Sequence, residues 1–125
     1  MSKHVVLVED ETNIAEAIRF LLGRDGWRVE TLANGGNAAE VIRAARPDLV
    51  VLDVMLPGKT GFEILAELRS ETSLADLPVL MLTARGQSRD REMAFKAGVS
   101  RFMTKPFSNE EMLTAVRELT QGQVS

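Results

Sequence analysis

Three acidic side chains follow apolar runs of the sequence. Such runs are typical of buried strands, in which a charged side chain would be unfavourable. Glu9 and Asp10 follow the apolar residues 5–8, and Asp53 follows the apolar residues 49–52. Carboxylates held close together repel one another unless a cation lies among them. Oxygen ligands few in number, with room for water, suit Mg²⁺, and an aspartate can attack a phosphoryl group. The pattern therefore predicts a site for Mg²⁺ and an anionic phosphoryl substrate.

A hydroxyl and an ammonium follow two further segments that are predicted to be strands. Thr83 comes directly after residues 79–82, and Lys105 comes directly after residues 101–104. Lys105 would pair with Asp53 at rest and with a phosphoryl group when one arrives, which supplies the charge stabilisation that phosphoryl transfer requires. The Thr83 hydroxyl and the backbone N–H groups after Asp53 and Thr83 would donate to the phosphoryl oxygens.

The elements that carry these side chains must bring them together. Strands are predicted at His4–Val8, Trp27–Leu32, Leu49–Leu52, Val79–Leu82 and Arg101–Thr104, and the segments between them have apolar residues at helical spacing. Successive strand–helix units demand a parallel sheet with right-handed crossovers. The predicted fold is α/β, a doubly wound (βα)5 flavodoxin-like three-layer sandwich with a five-stranded parallel sheet of order 2-1-3-4-5. In that order the strand ends share one edge, beside the crevice between the first and third strands.

Local signals mark some of the helix ends. Ser108 followed by Glu111 predicts a capping box at the start of the last helix, and Gly98 is expected just past the end of the fourth helix. The six methionines are spread along the chain and are interpreted as core filler.

Composition limits the classes of function. The chain has 125 residues, 45% of them hydrophobic, and one domain over residues 1–125 is predicted, with an ordered core at about residues 3–120. It has no cysteine, which excludes disulfides, thiolate nucleophiles and cysteine-bound zinc. The formal net charge of −3 gives no general attraction to nucleic acid or anionic membrane. No apolar stretch approaches the about 20 residues of a membrane span, and no signal peptide is expected, so a cytoplasmic location is predicted.

Taken together, these motifs resemble the receiver domain of two-component response regulators, and the chain is similar to single-domain chemotaxis-type regulators. The resemblance rests on segments in the order and spacing of that family, at residues 5–11, 48–58, 78–84, 97–98 and 105–107. It implies a domain that accepts a phosphoryl group on an aspartate. Such a domain catalyses only its own phosphorylation and dephosphorylation and is not an enzyme toward other substrates.

The resemblance implies a role for each residue of the site. Asp53 would be the phosphoacceptor. Asp10 and Asp53 would bind Mg²⁺ directly, Glu9 would reach it through water, and the backbone carbonyl of Met55 would be a further ligand. The contacts to the phosphoryl group would come from Met55, Thr83, Ala84 and Lys105.

Two further implied roles concern switching and the lifetime of the phosphorylated state. Thr83 would be the switch hydroxyl, and Phe102 would be the switch aromatic that turns inward when the hydroxyl moves to the phosphoryl group. Met55 and Arg85 occupy the positions that flank the path of the hydrolytic water in this family. A bulky apolar side chain and a long cation there predict slow autodephosphorylation. The family's Lys-Pro pair, here Lys105-Pro106, commonly has a cis peptide bond.

The implied partners are proteins. A sensor histidine kinase or a histidine phosphotransfer protein would donate the phosphoryl group, and a downstream protein would bind the surface of the fourth helix, fifth strand and fifth helix. Relatives joined to winged-helix DNA-binding domains often carry two acids before the switch aromatic, where this chain has Ser100 and Arg101. That departure favours a stand-alone regulator, a monomer or phosphorylation-dependent weak dimer, without direct contact to nucleic acid or membrane. The alternative is a receiver excised from a longer transcription factor or hybrid signalling protein.

Three other classes match parts of the pattern. An aspartate-nucleophile phosphatase or phosphotransferase needs a general acid near the nucleophile, but Met55 stands two residues after Asp53 and no insertion could form a substrate cap. A flavodoxin-like nucleotide module needs a glycine- or hydroxyl-rich phosphate loop, whereas residues 9–11 are acidic. The intact acids, threonine and lysine argue against a degenerate receiver that acts only as an interaction module.

Overall fold

The computed structural model describes residues 3–84 and 88–121, and it contains the predicted parallel sheet. Its strands are β1 Lys3–Val8, β2 Trp27–Leu32, β3 Leu49–Asp53, β4 Val79–Thr83 and β5 Arg101–Thr104. Their spatial order, β2-β1-β3-β4-β5, confirms the prediction. Asp53 and Thr83 are the last residues of their strands and not the first residues after them. The sheet itself therefore fixes the backbone of both residues.

Helices cover both faces of the sheet. In the described residues they are α1 Thr12–Arg24, α2 Ala38–Ala45, α3 Gly61–Arg69, α4 Ser88–Lys96 and α5 Asn109–Thr120, with a short 3₁₀ helix at Thr72–Leu74. The buried residues of α1 and α5 pack on one face, and those of α2, α3 and α4 pack on the other. The predicted doubly wound three-layer sandwich is confirmed. None of these helices is long and apolar enough to span a membrane.

Alternation of side chains along each strand divides the core between the two faces. In β1, Val5 and Leu7 pack with α1 and α5, whereas Val6 and Val8 pack with the helices of the other face. All four side chains are fully buried, which explains the continuous apolar run of a strand covered on both sides. Burial of each stabilises the fold by about 1.5–3 kcal/mol. The strand end that carries Glu9 is therefore held firmly in the core.

Capping boxes begin two of the helices. At α5 the Ser108 side chain accepts a hydrogen bond from the Glu111 N–H at 3.0 Å, and the Glu111 carboxylate accepts one from the Ser108 N–H at 2.9 Å, as predicted. The same reciprocal pair joins Thr60 and Glu63 at α3. We did not predict this second box, although its spacing carries the same signal. Gly98, with a φ of 97°, lies just past the end of α4 as expected.

Two methionines lie outside the core, which corrects the interpretation of all six as core filler. Met55 and Met93 have exposed fractions of 71% and 45%. Met55 lies in the loop after β3, and Met93 lies on the outer side of α4, whose one buried residue is Ala94. Helical spacing did not separate the inner side of this polar helix from its outer side. Buried positions are occupied by Met81, Met103 and Met112.

Candidate functional site

The register of the sheet brings the ends of β1, β3, β4 and β5 to one edge. Val8 of β1 pairs with Leu52 of β3, so that Glu9 and Asp53 come level with each other. The last residues of β4 and β5 also pair. Because the strands are parallel, the polar residues at their carboxyl ends converge at this edge, as predicted.

Three carboxylates form a compact cluster there. One oxygen from each of Glu9, Asp10 and Asp53 lies within 4.8 Å of the other two. Glu9 and Asp53 are buried, whereas Asp10 is exposed. Oxygens bound directly to one Mg²⁺ at about 2.1 Å are at most about 4.2 Å apart, so carboxylates gathered this closely can hold one ion directly or through a bound water. The hard oxygen donors of this cluster fit Mg²⁺.

Lys105 is the cation of the site. Its Nζ lies 2.7 Å from Glu9 Oε1, 3.3 Å from Asp53 Oδ2 and 3.6 Å from Glu11 Oε1, and its side chain is 9% exposed. The sequence predicts the pairing of Lys105 with Asp53, which is present. The shorter pairing with Glu9 was missed, because it depends on how far the lysine reaches across β4 and β3 to the end of β1.

Burial and charge shift the pKa values of this pair. Burial raises the pKa of Glu9, and the negative charge of Asp53 adds to the rise, while the hydrogen bonds from Lys105 and from the Glu11 N–H oppose it. For Lys105, burial acts to lower the pKa, but the hydrogen bond to Glu9 and the charge of Asp53 outweigh it, so the pKa is raised. Lys105 is therefore an ammonium at neutral pH, surrounded by more negative charge than it can neutralise.

The predicted switch residues lie on the neighbouring strands β4 and β5. Thr83 ends β4 and is buried, and Ala84 directly after it is exposed. Phe102, in the middle of β5, is buried in the core cluster that includes Ala94 of α4. The family resemblance predicts that the Phe102 ring turns inward on phosphorylation. In this structure Phe102 is already buried in the core.

Met55 and Arg85 are the two residues predicted to tune dephosphorylation. Met55 lies two residues after Asp53 with an exposed side chain. Arg85 lies outside the described residues. The Lys105–Pro106 peptide bond is cis, as the resemblance led us to expect.

Comparison with known proteins identifies the family of this chain. The profile of the response regulator receiver domain matches residues 5–117. A probable transcriptional regulatory protein of Mycobacterium tuberculosis, TcrX, is 44% identical over 115 residues, which are 92% of this chain and 48% of the relative. The chain therefore spans about half the length of that curated relative.

Solved structures share the whole architecture. A putative response regulator from Chloroflexus aurantiacus is 30% identical, with a TM-score of 0.92 covering 97% of this chain and 99% of that one. The receiver domain of a sensor histidine kinase from Pseudomonas aeruginosa has a magnesium ion coordinated in its active site cleft. It is 27% identical, with a TM-score of 0.89 and coverage of 97% and 99%. Because the family profile spans most of the sequence, this chain belongs to the receiver domains of two-component response regulators.

Proposed function

We propose that Asp53 is the phosphoacceptor of this receiver domain and that it takes the phosphoryl group from a histidine on a partner protein. The observation that carries the proposal is the position of Asp53, which lies within the three-acid cluster and 3.3 Å from the Lys105 ammonium. A sensor histidine kinase or a histidine phosphotransfer protein is the proposed donor. The domain acts on its own aspartate and has no separate substrate to turn over.

The residues of the site divide the work of the transfer. Asp10, Asp53 and the Met55 carbonyl would hold Mg²⁺, with Glu9 reaching it through water. Bound Mg²⁺ would supply positive charge to the transferring oxygens. One Asp53 oxygen bonds to phosphorus as the bond from phosphorus to the donor histidine nitrogen breaks, and that electron pair stays on the nitrogen. Lys105 stabilises the charge on the phosphoryl oxygens.

The backbone beyond the strands completes the phosphoryl contacts. We assign the N–H groups of Met55, two residues after Asp53, and of Ala84, directly after Thr83, as donors to the phosphoryl oxygens. The Thr83 hydroxyl would join them once the group is in place. Both backbones are supported by the sheet, since the Val54 N–H donates to the Leu82 carbonyl at 2.9 Å.

The proposed output surface is formed by α4, β5 and α5. Phosphorylation would draw Thr83 toward the phosphoryl group and stabilise the inward position of Phe102. Since Phe102 packs in the same core cluster as Ala94 of α4, its position biases where α4 rests on the sheet. The switch is then a shift of population between two arrangements of this surface.

The downstream partner is proposed to be a protein that binds a monomer or a weak dimer. At the two positions where relatives with DNA-binding domains carry acids, Arg101 forms an ion pair with Glu118, and Ser100 Oγ accepts a hydrogen bond from the Val79 N–H at 3.0 Å. Both side chains thus form contacts within the domain, and neither offers the negative charge that those relatives carry at these positions.

A second candidate is the receiver portion of a longer transcriptional regulator. It is favoured by the relative from Mycobacterium tuberculosis, a probable transcriptional regulatory protein of which the match covers 48%. In that case the phosphorylation chemistry is unchanged, and the partner of the α4, β5 and α5 surface is an attached domain.

The test is Mg²⁺-dependent labelling with acetyl phosphate or phosphoramidate. We expect the wild-type protein to be labelled, Asp53→Asn to remain unlabelled, and EDTA to abolish the reaction. Asp76→Asn is the matched control, because Asp76 is an exposed aspartate just before β4, at the opposite edge of the sheet. Unchanged labelling of Asp53→Asn would overturn the assignment, and so would steady turnover of a phosphate ester.

A further inference from the structure

The loop at residues 54–60, between β3 and α3, is packed closely against the loop at residues 33–37, between β2 and α2. The first loop carries Met55, whose carbonyl is a proposed metal ligand. The second loop contains the paired glycines Gly35 and Gly36. The second loop contains none of the residues proposed to bind the metal or the phosphoryl group.

Gly35 makes the closest approach. Its N–H donates a hydrogen bond to the Pro57 carbonyl at 2.9 Å. A Cβ atom added to Gly35 would lie 2.4 Å from the Lys59 carbonyl oxygen and 2.9 Å from Ile64 Cδ1. The first of these neighbours is backbone, so it cannot turn away as a flexible side chain would. Gly35 does not have a positive φ, and glycine is therefore needed at this position for space and not for conformation.

Gly58 makes the reciprocal contact from the other loop. A Cβ atom on Gly58 would lie 2.5 Å from Asn34 Oδ1 and 2.9 Å from the Gly36 nitrogen. Asn34 Oδ1 accepts a hydrogen bond from the Gly36 N–H at 2.6 Å. This bond fixes the positions of the Asn34 and Gly36 atoms against which Gly58 packs. The two loops are thus matched by glycines on both sides.

The backbone that follows Asp53 is held at its far end as well. The Gly61 N–H donates to the Val54 carbonyl at 2.8 Å, and a Cβ atom on Gly61 would lie 2.3 Å from the Asp53 carbonyl oxygen. Between the end of β3 and the start of α3, loop 54–60 therefore has little freedom. Its middle is held by the hydrogen bond from the Gly35 N–H to the Pro57 carbonyl and by the packing of Leu56 against the core.

We propose that Gly35 is a positioning residue for the metal site: its contact with Pro57 and Lys59 sets the backbone of loop 54–60 so that the Met55 carbonyl points to the cation. The inference rests on the proposed function, because it assumes that this carbonyl is a ligand. Residues that orient metal ligands typically change metal affinity by about 10- to 100-fold when altered, although they do not touch the ion.

The experiment compares Mn²⁺ affinity, measured by electron paramagnetic resonance with Mn²⁺ as the only added ligand, in wild type, Gly35→Ala and Gly23→Ala. Gly23 is the control because a Cβ there meets nothing within 4 Å. Measurements are made well below the unfolding temperature, with the fold checked by circular dichroism. We expect Gly35→Ala to weaken Mn²⁺ binding by about tenfold or more and Gly23→Ala to leave it unchanged. The amide NMR signals of residues 54–60 should shift in metal-free Gly35→Ala and not in Gly23→Ala.

A second variant covers the outcome in which Gly35→Ala does not fold. Asn34→Ala removes the hydrogen bond to Gly36 without creating a clash, and it should weaken Mn²⁺ binding in the same direction. Wild-type affinity in a folded Gly35→Ala, or in Asn34→Ala if the first variant is unfolded, would show that the contact serves packing alone and would overturn the proposal. A wild-type protein that binds no Mn²⁺ and takes no label would instead overturn the proposed function on which the inference rests.

Discussion

The Lys105 ammonium lies between two buried carboxylates, 2.7 Å from Glu9 and 3.3 Å from Asp53, while Asp10 adds a third negative charge nearby. Glu9 has a raised pKa because it is buried beside these charges. In the absence of metal, the repulsion among the acids therefore acts against folding, and the lysine offsets only part of it.

Removing a negative charge from the site should raise the free energy of unfolding, whereas removing the positive charge of Lys105 should lower it. Asp53→Asn relieves repulsion with Glu9 and Asp10, and we expect it to raise the metal-free stability by on the order of 1 kcal/mol. Lys105→Met leaves the acids without a counter-ion and should lower it by roughly 2 kcal/mol. Thermal unfolding in EDTA, followed by circular dichroism, measures both. Shifts of the same sign in the two variants would contradict this account.

The exposed Met55 side chain, two residues after the proposed phosphoacceptor Asp53, is predicted to slow hydrolysis of the aspartyl phosphate. We expect Met55→Asn to speed dephosphorylation by about tenfold, which corresponds to about 1.4 kcal/mol in the barrier. The measurement is the loss of label after removal of the donor. Met93→Asn is a matched control, since Met93 is also exposed but lies on α4. Equal rates for Met55→Asn and wild type would remove Met55 from this role.

At the scale of elements, an ion pair ties the end of α1 to α5. Arg117 donates to Asp25 from Nη2 at 2.8 Å and from Nε at 3.4 Å. The hydrogen bond from Arg117 lowers the pKa of Asp25 below its ordinary value of 3.8. A carboxyl group whose pKa is lower in the folded state than in the unfolded state stabilises the fold above the unfolded value and loses that contribution as pH falls through the folded value.

The α1–α5 pair should therefore show a pH dependence confined to acid. We expect Asp25→Asn to unfold at a slightly lower temperature than wild type at pH 6, and the difference to shrink as pH falls below 3.8. Arg117→Gln should give the same loss, and the double variant should add nothing further. A difference that grows in acid would contradict the assignment.

The helices and strands could be predicted because the pattern of residues within each segment indicates its structure. Contacts between segments distant in the sequence leave no such local pattern. The apolar run at residues 49–52 identifies β3 and places Asp53 at its end. By contrast, Arg69 at the end of α3 donates to the Gly98 carbonyl at 2.8 Å and to the Leu74 carbonyl at 3.0 Å. Nothing near Arg69 in the sequence indicates those acceptors. The contact of Gly35 with loop 54–60 is equally tertiary, since it depends on how β2 and β3 are placed in the sheet.

At the scale of the whole molecule, the proposed output surface is predicted to work without a stable symmetric dimer. We expect sedimentation velocity to show a monomer before acetyl phosphate and Mg²⁺ are added, and no more than a weak, concentration-dependent shift afterwards. Asp53→Asn with the same additions is the control. A tight dimer that forms only in the phosphorylated wild type would favour the reading as part of a longer transcriptional regulator.

The cluster of acids also imposes an order on events at the mouth of the site. Three carboxylates and one ammonium leave an excess of two negative charges, facing any phosphoryl donor that approaches without a cation in place. Anionic donors are repelled by such a field, and more strongly at low ionic strength. Under the proposed function the cation would enter first, and the supply of free divalent metal would then act as a gate on phosphorylation, upstream of the proposed kinase.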